Sequence, residues 1–178
     1  FKEQKQWDYE GREPRLKNVT ISNFTALTEG RILITAEDGR FIENLKMTNI
    51  NLTYPWVENP ITYVDEVKSS QFAPVKRSAK TATAALVLEN VKNLKLSGLN
   101  INWPETKEVP PDWQFEKKIA NGTLTSFYPK YNKAVEVDFN AIYGRGLENG
   151  YIYGYDLQAT SPDMSAFDIE NSTVRILK

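Results

Sequence analysis

The 178-residue chain has no cysteine and no histidine. Without cysteine there is no disulfide, no thiol nucleophile and no thiolate metal site. Without histidine, Ser-His and Cys-His catalysis and imidazole ligation are excluded. The net charge is −1, so the chain lacks the basic excess that would mark a nucleic-acid or anionic-membrane partner. No apolar run approaches the roughly 20 residues that a membrane-spanning helix needs. Neither nucleic acid nor membrane is therefore an expected partner, and no metal or cofactor is implied. Any chemistry must rest on carboxylates, Arg, Lys, Tyr or hydroxyls.

What the chain does have is a repeat. "KNVTISNFTA" (Lys17 to Ala26), "ENLKMTNINL" (Glu43 to Leu52), "KNLKLSGLNI" (Lys92 to Ile101) and "ENGYIYGYDL" (Glu148 to Leu157) align without gaps. One column holds Asn18, Asn44, Asn93 and Asn149. The next holds Val19, Leu45 and Leu94, with Gly150 as the exception. Ile21, Met47, Leu96 and Ile152 form an apolar column, as do Phe24, Ile50, Leu99 and Tyr155. Between these two stands a column of only Asn or Gly: residues 23, 49, 98 and 154. Alternating apolar positions are strand faces of period two. Asn and Gly tolerate a left-handed backbone, so that column marks a corner between two short strands.

A third strand precedes each later copy: "GRILIT" (Gly30 to Thr35), "AALVLE" (Ala84 to Glu89) and "NAIYG" (Asn140 to Gly144). "SAFDIE" (Ser165 to Glu170) precedes a degraded ending, "NSTVRI". Three short strands per turn predict an all-β chain, a right-handed parallel β-helix of about five coils. Its asparagines are expected to stack into hydrogen-bonded ladders. An antiparallel sandwich would need two-residue hairpin turns, whereas a one-residue corner is too short to reverse the chain.

The column asparagines are 26, 49 and 56 residues apart, the intervals of 18, 44, 93 and 149. The excess predicts two long loops, at about 55–83 and 104–139, leaving one corner of neighbouring coils. The whole of 1–178 reads as a single unit. The loops are rich in aromatics, among them Trp56, Trp103 and Trp113. Trp56 and Trp113 are candidates for a sugar platform, the alternative being that they anchor the loops to the barrel. "VEVDF" places Glu136 and Asp138 on one strand face, their Cα atoms roughly 6.6 Å apart, within the range that glycoside hydrolysis uses. They are the weak catalytic candidates, and "FDIE" sets Asp168 and Glu170 alike. Around Gly39, Glu37, Asp38 and Arg40 read as a corner turn. Arg31 begins a strand and faces outward with Leu33, where it could bind a sugar carboxylate or pair with a neighbouring coil. Tyr151 and Tyr153 fall in outward columns and are candidate sugar contacts.

"ENLKMTNINL", "KNVTISNF" and "LENVKNLKLSGLNI" resemble the coils of the pectin-lyase-like superfamily, most of all the C-terminal half of the polygalacturonase-like glycoside hydrolases. The resemblance covers Leu16 to Lys178. It implies secreted or periplasmic action on acidic plant polysaccharide, with inversion, by aspartates on the first-strand face. Of that family's Arg-Ile-Lys mark, "RIL" at 31–33 keeps the arginine, so a substrate contact carries over to Arg31 alone. There is no Asp-Asp pair and no Gly-His-Gly. In the family the aspartates precede the Arg-Ile-Lys strand, so the resemblance implies a C-terminal part of a longer protein. The partners expected are then a polysaccharide or oligosaccharide and preceding coils of the same protein, with this part supplying substrate contacts. Two alternatives share the fold: a lyase, for which Tyr143 or Arg145 would be the base, and a non-catalytic carbohydrate-binding or structural β-helix.

Overall fold

Asparagine and glycine place the bends. The computed structural model describes residues 16–36, 39–57, 82–108, 110–111, 119–120, 123–124 and 137–178, with 119–120 and 123–124 as backbone alone. In it Asn18, Asn44, Asn93 and Asn149 have φ of 56 to 58°, and Asn23, Asn49, Gly98 and Gly154 have φ of 54 to 60°. Both aligned columns are therefore left-handed, where the sequence pattern identified only the second as a corner. A third left-handed set, Asn90, Gly146 and Asn171, closes the strand before each of the last two repeat copies and before the degraded ending. Its signal was present in "LEN", "GRG" and "IEN".

Between the bends run short strands. They are β1 (Leu16–Lys17), β2 (Thr20–Leu27), β3 (Ile32–Thr35), β4 (Ile42–Glu43), β5 (Lys46–Thr53), β6 (Ala84–Glu89) and β7 (Val91–Asn102). After them come β8 (Ile119–Ala120), β9 (Thr123–Leu124), β10 (Asn140–Arg145), β11 (Glu148–Tyr153), β12 (Phe167–Glu170) and β13 (Arg175–Leu177). One sheet orders β1-β4-β7-β11-β13, with β2 and β5 joined to it through β7; a second orders β12-β10-β6-β3. Every pairing in these two sheets is parallel. Only β8 and β9 pair antiparallel. No α-helix occurs among the described residues. All-β structure with stacked parallel strands is compatible with the β-helix expected from the repeat.

Register follows the repeat columns. Ile21 pairs with Met47, Met47 with Leu96, and Leu96 with Ile152. Each is one strand above the last, so like side chains stack into a continuous interior. Leu45, Met47, Ile50, Leu52, Leu86, Leu88, Leu94, Leu96, Leu99 and Ile152 are all buried there. Polar stacking runs beside it. Asn44 Nδ2 donates to Asn18 Oδ1 (2.8 Å), Asn93 Nδ2 to Asn44 Oδ1 (2.9 Å) and Asn49 Nδ2 to Asn23 Oδ1 (2.9 Å). The ladders thus satisfy side-chain amides at corners where the backbone already favours Asn.

Of the two expected loops, 58–81 and 112–118 lie outside the described residues, as does most of 121–136. Their roots are described, and large aromatics hold them. Tyr54 and Trp103 stack with ring centroids 5.0 Å apart, and Trp103 tilts onto Phe139 at 6.2 Å. Trp103 Nε1 donates to the Gln158 carbonyl at 2.7 Å. Burial pushes the Tyr54 phenol upward, against the opposing pull of the Arg31 cation.

Candidate functional site: the outer faces of the two sheets

Outward side chains of the first sheet also form columns. Lys17, Glu43, Lys92 and Glu148 are successive register partners and alternate in sign. Lys17 Nζ lies 2.6 Å from Glu43 Oε2, and Lys92 Nζ lies 3.0 Å from Glu148 Oε2. Lys92 also caps the Phe41 ring, 3.7 Å from its centroid. This column neutralises itself. The next is Thr20, Lys46, Lys95, Tyr151 and Arg175, and the one after is Ser22, Thr48, Ser97, Tyr153 and Leu177. Tyr151 is 42% exposed and Tyr153 47%. Two residues apart on β11, they present neighbouring phenols to solvent. A groove of about 470 Å³ lies beside Tyr151, lined by it and by Asn44, Asn93, Asn149, Lys46 and Lys95.

The second sheet has a different outer face. Leu33, Val87, Tyr143 and Asp168 share one column, and Thr35, Glu89, Arg145 and Glu170 the next. Both faces of β6 are buried: Val87 and Glu89, which alternate with the inner Leu86 and Leu88, are each 0% exposed. Glu89 is paired with Arg145, Nε to Oε1 at 3.2 Å. Burial raises the Tyr143 phenol first, and the charges of Glu170, Glu89 and Asp168 add to it against Arg145. Tyr143 is therefore protonated at neutral pH and is a hydrogen-bond donor rather than a base.

At the root of the second loop, Asp138 Oδ1 accepts from Lys107 Nζ at 3.0 Å and from the Thr160 hydroxyl at 3.2 Å. Thr160 Oγ1 in turn accepts from the Phe139 amide at 2.7 Å. The Lys107 hydrogen bond, followed by that from Thr160, holds the Asp138 carboxyl below the usual range against a burial effect that would raise it. A depressed carboxyl supports the fold above its unfolded pKa and loses that support as pH falls through its folded pKa. Replacing Lys107 by Met is expected to move the Asp138 midpoint upward in a carboxyl-detected NMR titration. An unchanged midpoint would show that the ion pair does not form in solution.

No protein-family model, curated protein or solved structure matches this chain.

The candidate residues separate by place. Tyr151 and Tyr153 lie on the exposed face that the repeat alignment assigns them. Trp56 does not offer a platform: it is 4% exposed, and its Nε1 donates to Glu29 Oε2 at 3.0 Å. The tryptophan thus takes the anchoring role, because its large apolar area is worth more in the core than on the surface. Arg31 is half-buried beside Tyr54, its Nη1 donating to the Ala82 carbonyl, so it does not project freely with Leu33 as expected. Asp138, ionised in its bridge to Lys107, is unsuited to donate a proton at neutral pH. Trp113 and Glu136 lie outside the described residues. Asp168 and Glu170 are exposed on edge strand β12, beside Tyr143 and Arg145. Sequence reasoning missed the Lys46–Lys95 column, although both lysines occupy the same position of the repeat.

Proposed function

We propose that the chain winds as a right-handed parallel β-helix of the pectin-lyase-like kind and serves a secreted or periplasmic polysaccharide-degrading protein, polygalacturonase-like, by holding the glycan. The observation that carries the binding role is the pair of solvent-facing phenols, Tyr151 and Tyr153, on a parallel sheet. Aromatic faces give sugar rings an apolar platform, while the adjoining Asn, Ser and Thr columns supply hydrogen-bond partners for hydroxyls. Supporting the fold are the stacked left-handed corners and the register that keeps like residues above like. At Asp138 and Glu89 an ion pair favours holding over cleavage, whereas Asp168 and Glu170 stand exposed on β12. The raised Tyr143 phenol weighs against a lyase that would use it as base.

Methyl-esterified polygalacturonan isolates ring stacking from charge. Its affinity is expected to fall about tenfold in the Tyr151→Ala, Tyr153→Ala double variant. Unchanged affinity would sink the platform. Release of new reducing ends by the wild-type chain would overturn the holding role in favour of catalysis by its own carboxylates.

A further inference from the structure

Two edge strands at one end of the stack carry opposite charge. β12 is the outermost strand of the second sheet and β13 of the first, and each pairs on one side only. The interior lies open between them. Ile176 continues the inward column of Met47, Leu96 and Ile152, yet it is 40% exposed where those three are 0%. Outward, β12 carries Asp168 and Glu170, and β13 carries Arg175. Charges on an edge strand can simply deter pairing. Here they are sorted by sign, acids on one edge and the base on the other. Both Glu170 and Arg175 are exposed, and among the described residues neither has an ion-pair partner within the chain.

The corner between the two edges is fixed. Ser172 Oγ accepts from the Leu147 amide at 2.9 Å and donates to the Glu170 carbonyl at 2.7 Å. The Thr173 amide donates to the Leu147 carbonyl at 2.8 Å. Backbone direction alternates along each strand. In the column of Arg175, the amides of Lys46 and Lys95 turn toward the preceding repeat copy, so Ile176 turns its own N–H and C=O to the open side. The Glu170 carbonyl accepts from the Gly146 amide at 3.3 Å, so Ile169 also turns to the open side.

We propose that two copies of this chain join end to end at these edges about a two-fold axis, β12 of each pairing antiparallel with β13 of the other. With the axis between Ser172 and Thr173, Ile169 lies opposite the partner's Ile176, and the two exchange the hydrogen bonds that both direct to the open side. Glu170 then stands opposite the partner's Arg175, twice by symmetry. The contact closes both open interiors onto each other and stops at two copies, because it is isologous. Stacking head to tail would instead set Glu170 over Thr35 and Arg175 over Thr20, which uses neither charge and propagates into fibres. The proposal is independent of the sugar-holding role.

The test is sedimentation velocity of the full chain at low salt and about 100 μM, a concentration suited to a small interface. A species of twice the 20.4 kDa chain mass is expected. Glu170→Arg makes each facing pair two cations, and Arg175→Glu makes it two carboxylates. Each single variant is expected to dimerise at least about tenfold more weakly. Mixed in equal amounts, the two are expected to form a heterodimer, since every facing pair is then opposite in sign. The double variant Glu170→Arg, Arg175→Glu swaps the signs within one chain. It is expected to dimerise like the wild type, which separates lost pairing from misfolding. A wild type that stays monomeric, single variants that associate as the wild type does, or a mixture that stays monomeric overturns the proposal. So do species larger than the dimer, the mark of head-to-tail stacking.

Discussion

Gly150→Ala is expected to destabilise the protein by at least ~3 kcal/mol, because both the space and the backbone angle at this position exclude a side chain. Gly150 has φ of 133°, which L-residues rarely adopt. A Cβ built there would stand 2.2 Å from the Leu94 carbonyl oxygen, 2.7 Å from its nitrogen and 2.9 Å from its carbonyl carbon. All three are backbone atoms of the strand it pairs with, so no rotamer change relieves the clash. β11 would have to move off β7 and take β13 with it. Urea denaturation followed by circular dichroism should show the loss as a lowered midpoint. A change below ~1 kcal/mol would mean that β11 does not approach β7 as closely as described. The repeat alignment shows Val19, Leu45 and Leu94 at this position, so a glycine there reads as a lapse in pattern. Structurally it is a requirement of the close backbone approach to Leu94.

Leu96→Ala should cost about 3 kcal/mol, within the 2–5 range for emptying a buried leucine site. Leu96 is wholly buried, with Met47 on the strand below and Ile152 on the strand above. Both neighbours are pinned by parallel hydrogen-bonded ladders, so the site can collapse only slightly and the cavity remains. For a chain of this size the loss corresponds to roughly 10 °C in Tm. Lys95→Ala is the matched control. It lies one residue away on the same strand but points outward beside Lys46, and its effect should stay within about 0.5 kcal/mol. If Leu96→Ala and Lys95→Ala cost the same, the inward and outward columns are not distinct.

These two substitutions separate what can be read from a repeat and what cannot. The columns of Ile21, Met47, Leu96 and Ile152, and of Asn23, Asn49, Gly98 and Gly154, were legible in the sequence because stacking places like above like. Each residue is then constrained by the same neighbours, one repeat away. Period-two alternation also marked β3, β6, β10 and β12 close to their observed limits. Less of the candidate site was legible. Tyr151 and Tyr153 could be assigned to outward columns, since alternation fixes direction along a strand. The fates of Trp56 and Arg31 could not, because both lie outside the repeat columns. Only packing against Glu29, Ala82 and Tyr54 shows that their side chains are engaged with the protein itself.

The sequence by itself determined the parallel all-β stacking, one column of left-handed corners and which way side chains point within the repeat columns. All three follow from local backbone preference and a period repeated along the chain. Tertiary structure alone decided which outward charges meet. It set Lys17 beside Glu43, Arg145 beside Glu89, and Lys46 beside Lys95. Those partners are 26 to 56 residues apart, and only the register of parallel strands brings them within reach.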